Sequence, residues 1–117
     1  MNSIYNKDSR EFLRHIPKNT KVNTTITSPP YYDMKNYGSK NQIGFGQSYD
    51  EYLKDLQKLF SDIREITEEN GTLWIIIDTF KRDNQVVTLP FDLSDKLKQV
   101  GWLLQDVIIW KKDKTVP

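Results

Sequence analysis

Residues 28–31, Ser-Pro-Pro-Tyr, place two hydrogen-bond acceptors beside a flat aromatic ring. Ser28 has a hydroxyl oxygen, Pro29 has a carbonyl oxygen but no backbone N–H, and Tyr31 offers an aromatic face. A planar amine with two hydrogens, such as the exocyclic amino group of cytosine or adenine, would donate one hydrogen to the Ser28 oxygen and the other to the Pro29 carbonyl. Its ring would stack on Tyr31.

The chemistry suited to this corner, residues 28–31, is activation of the amine as a nucleophile. The nitrogen lone pair is delocalised into the ring, and acceptors that hold the two hydrogens in a non-planar geometry would free it by electrostatic preorganisation. Each proline fixes its own φ and restricts the residue before it, so Pro29 and Pro30 make the corner rigid. Rigidity matters because about 1 Å of misplacement can cost about a hundredfold in rate. A base inside a duplex would have to be flipped out to reach these groups.

The composition predicts one small globular domain spanning residues 1–117. The chain has 117 residues, of which 37% are hydrophobic and 28% are charged. The longest apolar run, residues 73–77, is far shorter than the ~20 residues of a membrane-spanning helix. We therefore expect a cytoplasmic protein without a membrane segment.

The rarity of ligating and nucleophilic side chains excludes several kinds of site. The chain has no cysteine, and His15 is its one histidine, so we expect no metal centre, no cysteine nucleophile and no Ser-His-Asp triad. The net charge of +1 predicts little general attraction to phosphate. If nucleic acid is the substrate, most of the binding must come from local contacts.

Hydrophobic patterns in the first half predict a helix, a strand, a loop and a second helix. Residues 8–15 have capping-box spacing at Asp8 and Glu11, and Val22–Thr27 has five β-branched residues out of six. Residues 32–47 lack periodicity and form a predicted loop whose lysines, Lys35 and Lys40, are candidates for approaching DNA. Ser48 begins a second capping box, and helical spacing is predicted to continue to Gly71.

The second half predicts a buried strand at residues 72–77, a helix at 91–100 and a third strand at 102–110. The alternation of helices and strands is typical of an α/β fold with a mostly parallel sheet of about three strands, flanked by helices. Ligands in such sheets lie beyond the carboxyl ends of the strands. The corner and Asp78 follow two predicted strands, so we expect them to face one pocket.

These segments resemble, in order, those of the DNA amino-methyltransferases, enzymes that transfer a methyl group from S-adenosylmethionine to cytosine N4 or adenine N6. VNTTITSPPYY is similar to their catalytic strand and corner, which reads Ser or Asp and then Pro-Pro-Tyr. NKDSREFLRHIP resembles the segment before the corner, and QIGFGQSYDEYL, GTLWIIIDTF and GWLLQDVIIWKK resemble the segments after it. The resemblance implies a Rossmann-like fold with S-adenosylmethionine as cofactor and DNA as substrate.

Carried over by position, Ser28, Pro29, Pro30 and Tyr31 match the catalytic corner that holds the target base. Asp8 matches an acidic position near the adenine of the cofactor, although an N-cap role would also explain this residue. Two residues at the strand ends, Thr27 and Asp78, are the other candidate cofactor contacts. Asp78 has an alternative interpretation as the cap of the turn that follows it.

The family's glycine-rich cofactor loop has no counterpart in these residues. Gly44 and Gly46 precede a helix but follow no strand, and Tyr49 stands where a dinucleotide fingerprint has its third glycine. The sequence therefore resembles the N-terminal catalytic half of such an enzyme. We expect a second polypeptide to carry the cofactor loop and the recognition region, as in a split enzyme; a truncated enzyme would behave in the same way in isolation.

The resemblance leaves the target base and the activity of the chain open. The Ser form of the corner is more often seen in cytosine-N4 enzymes, which favours cytosine, but it also occurs in adenine-N6 enzymes. The alternative from another class is a non-catalytic remnant or an interaction module with the same fold.

Overall fold

The computed structural model describes residues 2–32 and 42–112, and the predicted DNA-approaching lysines, Lys35 and Lys40, lie outside them. None of the helices in these residues is long and apolar enough to span a bilayer. The elements in chain order are a 3₁₀ helix (Ser9–Arg14), β1 (Val22–Thr27), α1 (Tyr49–Glu65), β2 (Thr67–Ile75), β3 (Phe80–Arg82), β4 (Gln85–Val87) and α2 (Leu89–Gln99).

β1 and β2 form a two-stranded parallel sheet whose carboxyl ends lie at one edge. The bounds of β1 match the predicted strand, as its β-branched residues favour. Thr27 pairs with Ile75, and the Thr27 carbonyl accepts a hydrogen bond from the Ile76 N–H at 2.9 Å. The sheet is thus hydrogen-bonded up to the residue before Ser28, which gives the corner a fixed starting point.

The predicted end of α1 at Gly71 is wrong, because the helix stops at Glu65 and β2 begins at Thr67. Pairing with β1 competes with further helix: the Val22 N–H donates to the Ile66 carbonyl at 2.7 Å. Gly71 lies inside β2, where the register with β1 shifts. A Cβ there would overlap the Thr67 side chain and lie 3.0 Å from the Asn23 carbonyl oxygen. Close approach of the two strands, and not a helix end, explains this glycine.

The predicted third strand at residues 102–110 is also wrong. The segment has no regular secondary structure, and its apolar side chains are largely exposed, with Ile109 at 85% and Trp110 at 77%. An apolar run forms a strand only where a neighbouring strand supplies hydrogen bonds. A short antiparallel hairpin of β3 and β4 is present instead, with Asp83 and Asn84 at positive φ in its turn.

The two shorter helices differ from their predictions at the ends. The first segment is a 3₁₀ helix with a kink at Glu11, and the Asp8 side chain accepts from the Arg10 N–H, two residues on, instead of from Glu11. α2 begins at Leu89, before the predicted start, because Pro90 is tolerated in a first turn. It ends at Gln99, one residue before the predicted end, and Gly101 follows with a φ of 100° that suits the hydrogen bonds closing the last turn.

The core lies on one face of the sheet, between β2 and the two helices. Leu73, Ile75 and Ile77 pack against a cluster that includes the fully buried Tyr52 and Leu89. The opposite face, which carries Ile26, Trp74 and Ile76, is exposed. The α/β class with a small parallel sheet is therefore correct, but the sheet has two strands and helices cover one face.

Candidate active site

The corner at residues 28–31 follows directly from the carboxyl end of β1. Ser28 is exposed, Pro29 is buried, and Pro30 and Tyr31 are partly buried. Within the described residues, the Ser28 hydroxyl and the Pro29 carbonyl have no hydrogen-bond partner. The next carbonyl along, that of Pro30, accepts a hydrogen bond from the Tyr52 hydroxyl. The corner therefore has one anchored oxygen and two that lack a partner within the described residues.

An aromatic cluster holds the residue that follows the corner. Tyr32 is buried, has a φ of 60°, and lies within 6.0 Å, centroid to centroid, of the rings of Tyr49, Tyr52 and Phe80. The Arg82 guanidinium carbon is 5.2 Å from the centroid of the Tyr32 ring. A non-glycine residue persists at positive φ only where its surroundings hold it. Packing from α1 and the hairpin thus fixes the exit from the corner.

The two tyrosines of α1 in this cluster keep their protons. Burial raises the pKa of Tyr52 to about 12, against a smaller lowering by a backbone hydrogen bond from Tyr32. Burial, with the hydrogen bond to Asp92, raises the pKa of Tyr49. The Tyr49 hydroxyl donates to the Asp92 Oδ2 at 2.7 Å. Both hydroxyls are therefore neutral donors at physiological pH.

A polar cleft lies on the other side of the loop that precedes α1. It has a volume of about 480 Å³ and is lined by Asp8, Arg10, Glu11, Gln42, Phe45, Gly46 and Gln47. Arg10 donates to both carboxylate oxygens of Asp8, at 3.1 and 2.7 Å. Gln47 connects the cleft to the end of the corner, because its backbone carbonyl accepts a hydrogen bond from the Tyr32 hydroxyl at 2.5 Å.

The donors and acceptors of this cleft fit the adenosine end of S-adenosylmethionine. Asp8 accepts three hydrogen bonds from Arg10, and since a carboxylate has about four lone-pair sites, one remains for an amino group. Phe45 is 42% exposed and offers an apolar surface for a ring. The described residues contain no group of three or more side chains placed to hold a metal ion.

The other two candidate cofactor residues lie elsewhere. Thr27 is at the end of β1 and Asp78 three residues beyond the end of β2, and neither lines the cleft that contains Asp8. The Asp78 carboxylate accepts from the N–H of the next residue, Thr79, at 2.7 Å, whereas a turn cap accepts from a residue at least two positions on. Of the three candidate cofactor residues, Asp8 alone lines this cleft.

The charge on Asp8 is expected to contribute stability that is lost in acid. Hydrogen bonds from Arg10 lower its pKa below the usual 3.8, so the contribution is present above that value and disappears as pH falls through the lowered pKa. The carboxylate is 41% exposed, which makes the effect small. In urea unfolding between pH 6 and pH 2, the free energy of unfolding should fall less steeply for Asp8→Asn, which retains a capping oxygen, than for the wild type.

At pH 6, Asp8→Ala should lower the free energy of unfolding by about 1 kcal/mol more than Asp8→Asn, because the cap is lost. Equal acid slopes in wild type and Asp8→Asn would contradict the ionic contribution.

Sequence reasoning missed the residues that hold the corner in place, above all Tyr52 and Tyr32. Tyr52 lies in the apolar stripe of α1, where the pattern indicates only a buried side chain. A fully buried tyrosine needs a partner for its hydroxyl, and that requirement was the available signal. The partner itself, the Pro30 carbonyl, is 22 residues away along the chain and could be identified only from the fold.

The fold is that of an α/β protein in which the Ser-Pro-Pro-Tyr corner lies beyond the carboxyl end of a parallel strand. Comparison with protein families then gives the particular group: residues 22–117 match the model of the N6/N4-type DNA methylases. The chain belongs to this family of DNA amino-methyltransferases.

Curated relatives of the chain are type II methyltransferases. It is 27% identical to M.SfiI of Streptomyces fimbriatus, over 98% of this chain and 31% of the relative. It is 26% identical to M.Cfr9I of Citrobacter freundii, over 98% of this chain and 48% of the relative. With M.MwoI of Methanothermobacter wolfeii it shares 31% identity over 90% of this chain and 16% of the relative. The chain thus spans half the length of these relatives or less, and no solved structure matches it.

Proposed function

We propose that this chain supplies the catalytic corner for transfer of a methyl group from S-adenosylmethionine to the exocyclic amino group of a flipped DNA base, with cytosine N4 favoured over adenine N6. The observation that carries the proposal is the pair of unpartnered acceptors, the Ser28 hydroxyl and the Pro29 carbonyl, at the end of β1 within the described residues. Membership in the methylase family supports the same reaction.

In the proposed reaction the corner binds the amino group and activates it. The Ser28 oxygen accepts one hydrogen and the Pro29 carbonyl the other, which localises the lone pair on the nitrogen. As the nitrogen forms its bond to the methyl carbon, positive charge builds on the nitrogen, and both acceptors stabilise it. One of the two held hydrogens then leaves as a proton by way of the exposed Ser28 hydroxyl to solvent.

S-adenosylmethionine, when bound, supplies a methyl group carried on a sulfonium sulfur. The sulfur is the leaving atom and keeps the electrons of the broken C–S bond. Asp8 would hold its adenine amino group, with Phe45 as the neighbouring apolar surface. Thr27 and Asp78 would contact it from the strand ends beside the corner. These contacts make up part of a cofactor site, so we assign the remaining contacts to a complementing polypeptide.

Recognition of the base combines stacking with the open acceptors. Tyr31 is partly buried and packs against the core, so one part of its ring is held while the rest can meet a base. Base–aromatic stacking contributes about 1–3 kcal/mol per base, which offsets the few kcal/mol that flipping costs. The Ser form of the corner favours cytosine.

The exposed face of the sheet supports a complementing polypeptide that carries the glycine-rich loop and the recognition region. Ile26 is 69% exposed, Trp74 47% and Ile76 52%; Ile26 and Trp74 are paired across β1 and β2, and Ile76 follows directly after β2. Exposed patches of this kind are typical of surfaces that another segment covers. We place the assembled enzyme with its DNA in the cytoplasm, with restriction-modification as its setting.

The test is to purify the chain alone and together with polypeptides encoded beside it, and to incubate each with unmethylated DNA and methyl-tritiated S-adenosylmethionine. Digestion of the DNA to nucleosides then identifies the product. We expect labelled N4-methylcytosine from the combined proteins and little label from the chain alone. Labelled N6-methyladenine would correct the base, and no label in DNA under any combination would contradict the proposed function.

A further inference from the structure

The Tyr52 hydroxyl contacts the backbone of the corner at Pro30. It donates a hydrogen bond to the Pro30 carbonyl. Tyr52 is fully buried, and its ring lies 5.5 Å from that of Tyr32, centroid to centroid. One side chain from α1 therefore serves a backbone carbonyl that no regular secondary structure satisfies.

Fixing the Pro30 carbonyl also fixes the orientation of the carbonyl before it. The pyrrolidine ring holds φ of Pro30 near −65°, so the Pro29–Pro30 peptide has little freedom to rotate relative to an anchored Pro30. The Pro29 carbonyl oxygen belongs to that peptide. Its direction is therefore set from both ends, by the last rung of the sheet at Thr27 and by the anchor at Pro30.

The rest of the Tyr52 environment shows that the hydroxyl is not needed to fill space. The ring is enclosed by Tyr32, Tyr49 and the apolar residues of α1, contacts that a phenylalanine would keep. Burial of the hydroxyl is unfavourable without a partner, and its partner here is the Pro30 carbonyl. The hydroxyl therefore has a local role at the corner.

We propose that Tyr52 is a positioning residue of the methyl transfer, which aims the Pro29 carbonyl at the substrate amine by anchoring the Pro30 carbonyl through its hydroxyl. This inference rests on the proposed function and goes beyond it, because Tyr52 lies 22 residues from the corner along the chain and itself contacts no substrate group. Loss of the hydroxyl should slow the chemical step and leave the binding of DNA nearly unchanged.

The experiment compares Tyr52→Phe with the matched variant Tyr49→Phe, which removes a buried hydroxyl of the same cluster that donates to Asp92 instead of to the corner. For each variant, kcat and KM with DNA are measured in the combined proteins. Thermal unfolding is measured on each variant chain alone. We expect Tyr52→Phe to lower kcat about tenfold, the order of one hydrogen bond, with KM for DNA within about twofold. Tyr49→Phe should retain kcat within about twofold, even if its melting temperature falls by as much as that of Tyr52→Phe.

A second measurement keeps the test independent of turnover. Carbon-13 carbonyl shifts of Pro29 and Pro30 are recorded in the labelled chain, and Tyr52→Phe should move both while Tyr49→Phe moves neither. Unchanged kcat in Tyr52→Phe, equal kcat losses in the two variants, or unchanged carbonyl shifts would each overturn the inference. If the wild-type proteins transfer no methyl group, the proposed function fails, and the carbonyl shifts still decide whether the Tyr52 hydroxyl holds the bend.

Discussion

Ser28→Ala is expected to lower the rate of methyl transfer by about a hundredfold to a thousandfold, the range seen when one preorganised hydrogen-bonding group is removed from a transition-state site. The Ser28 hydroxyl is exposed at the end of β1 and has no partner within the described residues, so its removal breaks no described contact. The melting temperature of the chain should therefore stay close to that of the wild type. A loss of rate without a loss of stability separates a catalytic acceptor from a structural one.

Two further variants sharpen this result. Ser28→Asp returns an oxygen acceptor to the corner and should recover part of the rate that Ser28→Ala loses. Ser61→Ala removes a hydroxyl on α1, far along the chain from the corner, and should leave the rate unchanged. The measurement is the single-turnover rate of label transfer to DNA by the combined proteins. Full activity in Ser28→Ala would exclude the proposed role of the corner.

The parts of the fold that depend on local sequence could be predicted from it. β1 was placed at its observed bounds because five of its six residues are β-branched and two prolines stop it. The start of α1 followed from Ser48 and Glu51, whose capping box is present with both of its hydrogen bonds. In these places the short-range preference and the tertiary structure agree.

The failures share a physical cause, which is dependence on a distant partner. Residues 102–110 have the composition of a buried strand, but composition does not supply a neighbouring strand, and the segment is exposed. The apolar spacing continues past Glu65 and so predicts a helix as far as Gly71, whereas pairing with Val22 ends α1 at Glu65. Strand pairing overrides helical periodicity when both are available.

The candidate site also has a local part that the sequence predicts and a non-local part that it does not. Ser28 and its three neighbours are contiguous, so the motif alone was enough to locate them at the strand end, and their role stays a prediction. The residues that hold them come from elements much later in the chain: Tyr52 from α1 and Arg82 from the hairpin. A contiguous motif can be recognised in a sequence, but the packing that supports it is non-local.

A second large effect is expected at Gly44, where the loop before α1 passes against the backbone of Tyr32. Its φ is +92°, and a Cβ there would overlap the Tyr32 carbonyl oxygen and lie 2.9 Å from the Tyr32 Cα. Tyr32 is held by the aromatic cluster, so Gly44→Ala must displace either the loop or the end of the corner. Displacement on the order of 1 Å at Tyr32 should reduce methyl transfer by about tenfold to a hundredfold.

Gly46→Ala is the matched control, because it has a similar backbone and different surroundings. The φ of Gly46 is +78°, but a Cβ there would have nothing within 4 Å. Both variants incur the cost of a non-glycine residue at positive φ, about 1–2 kcal/mol, so this cost cancels in the comparison. Gly44→Ala should therefore melt at a lower temperature than Gly46→Ala and transfer methyl groups more slowly. Equal melting temperatures and rates would show that the Gly44 contact with Tyr32 does not support the corner.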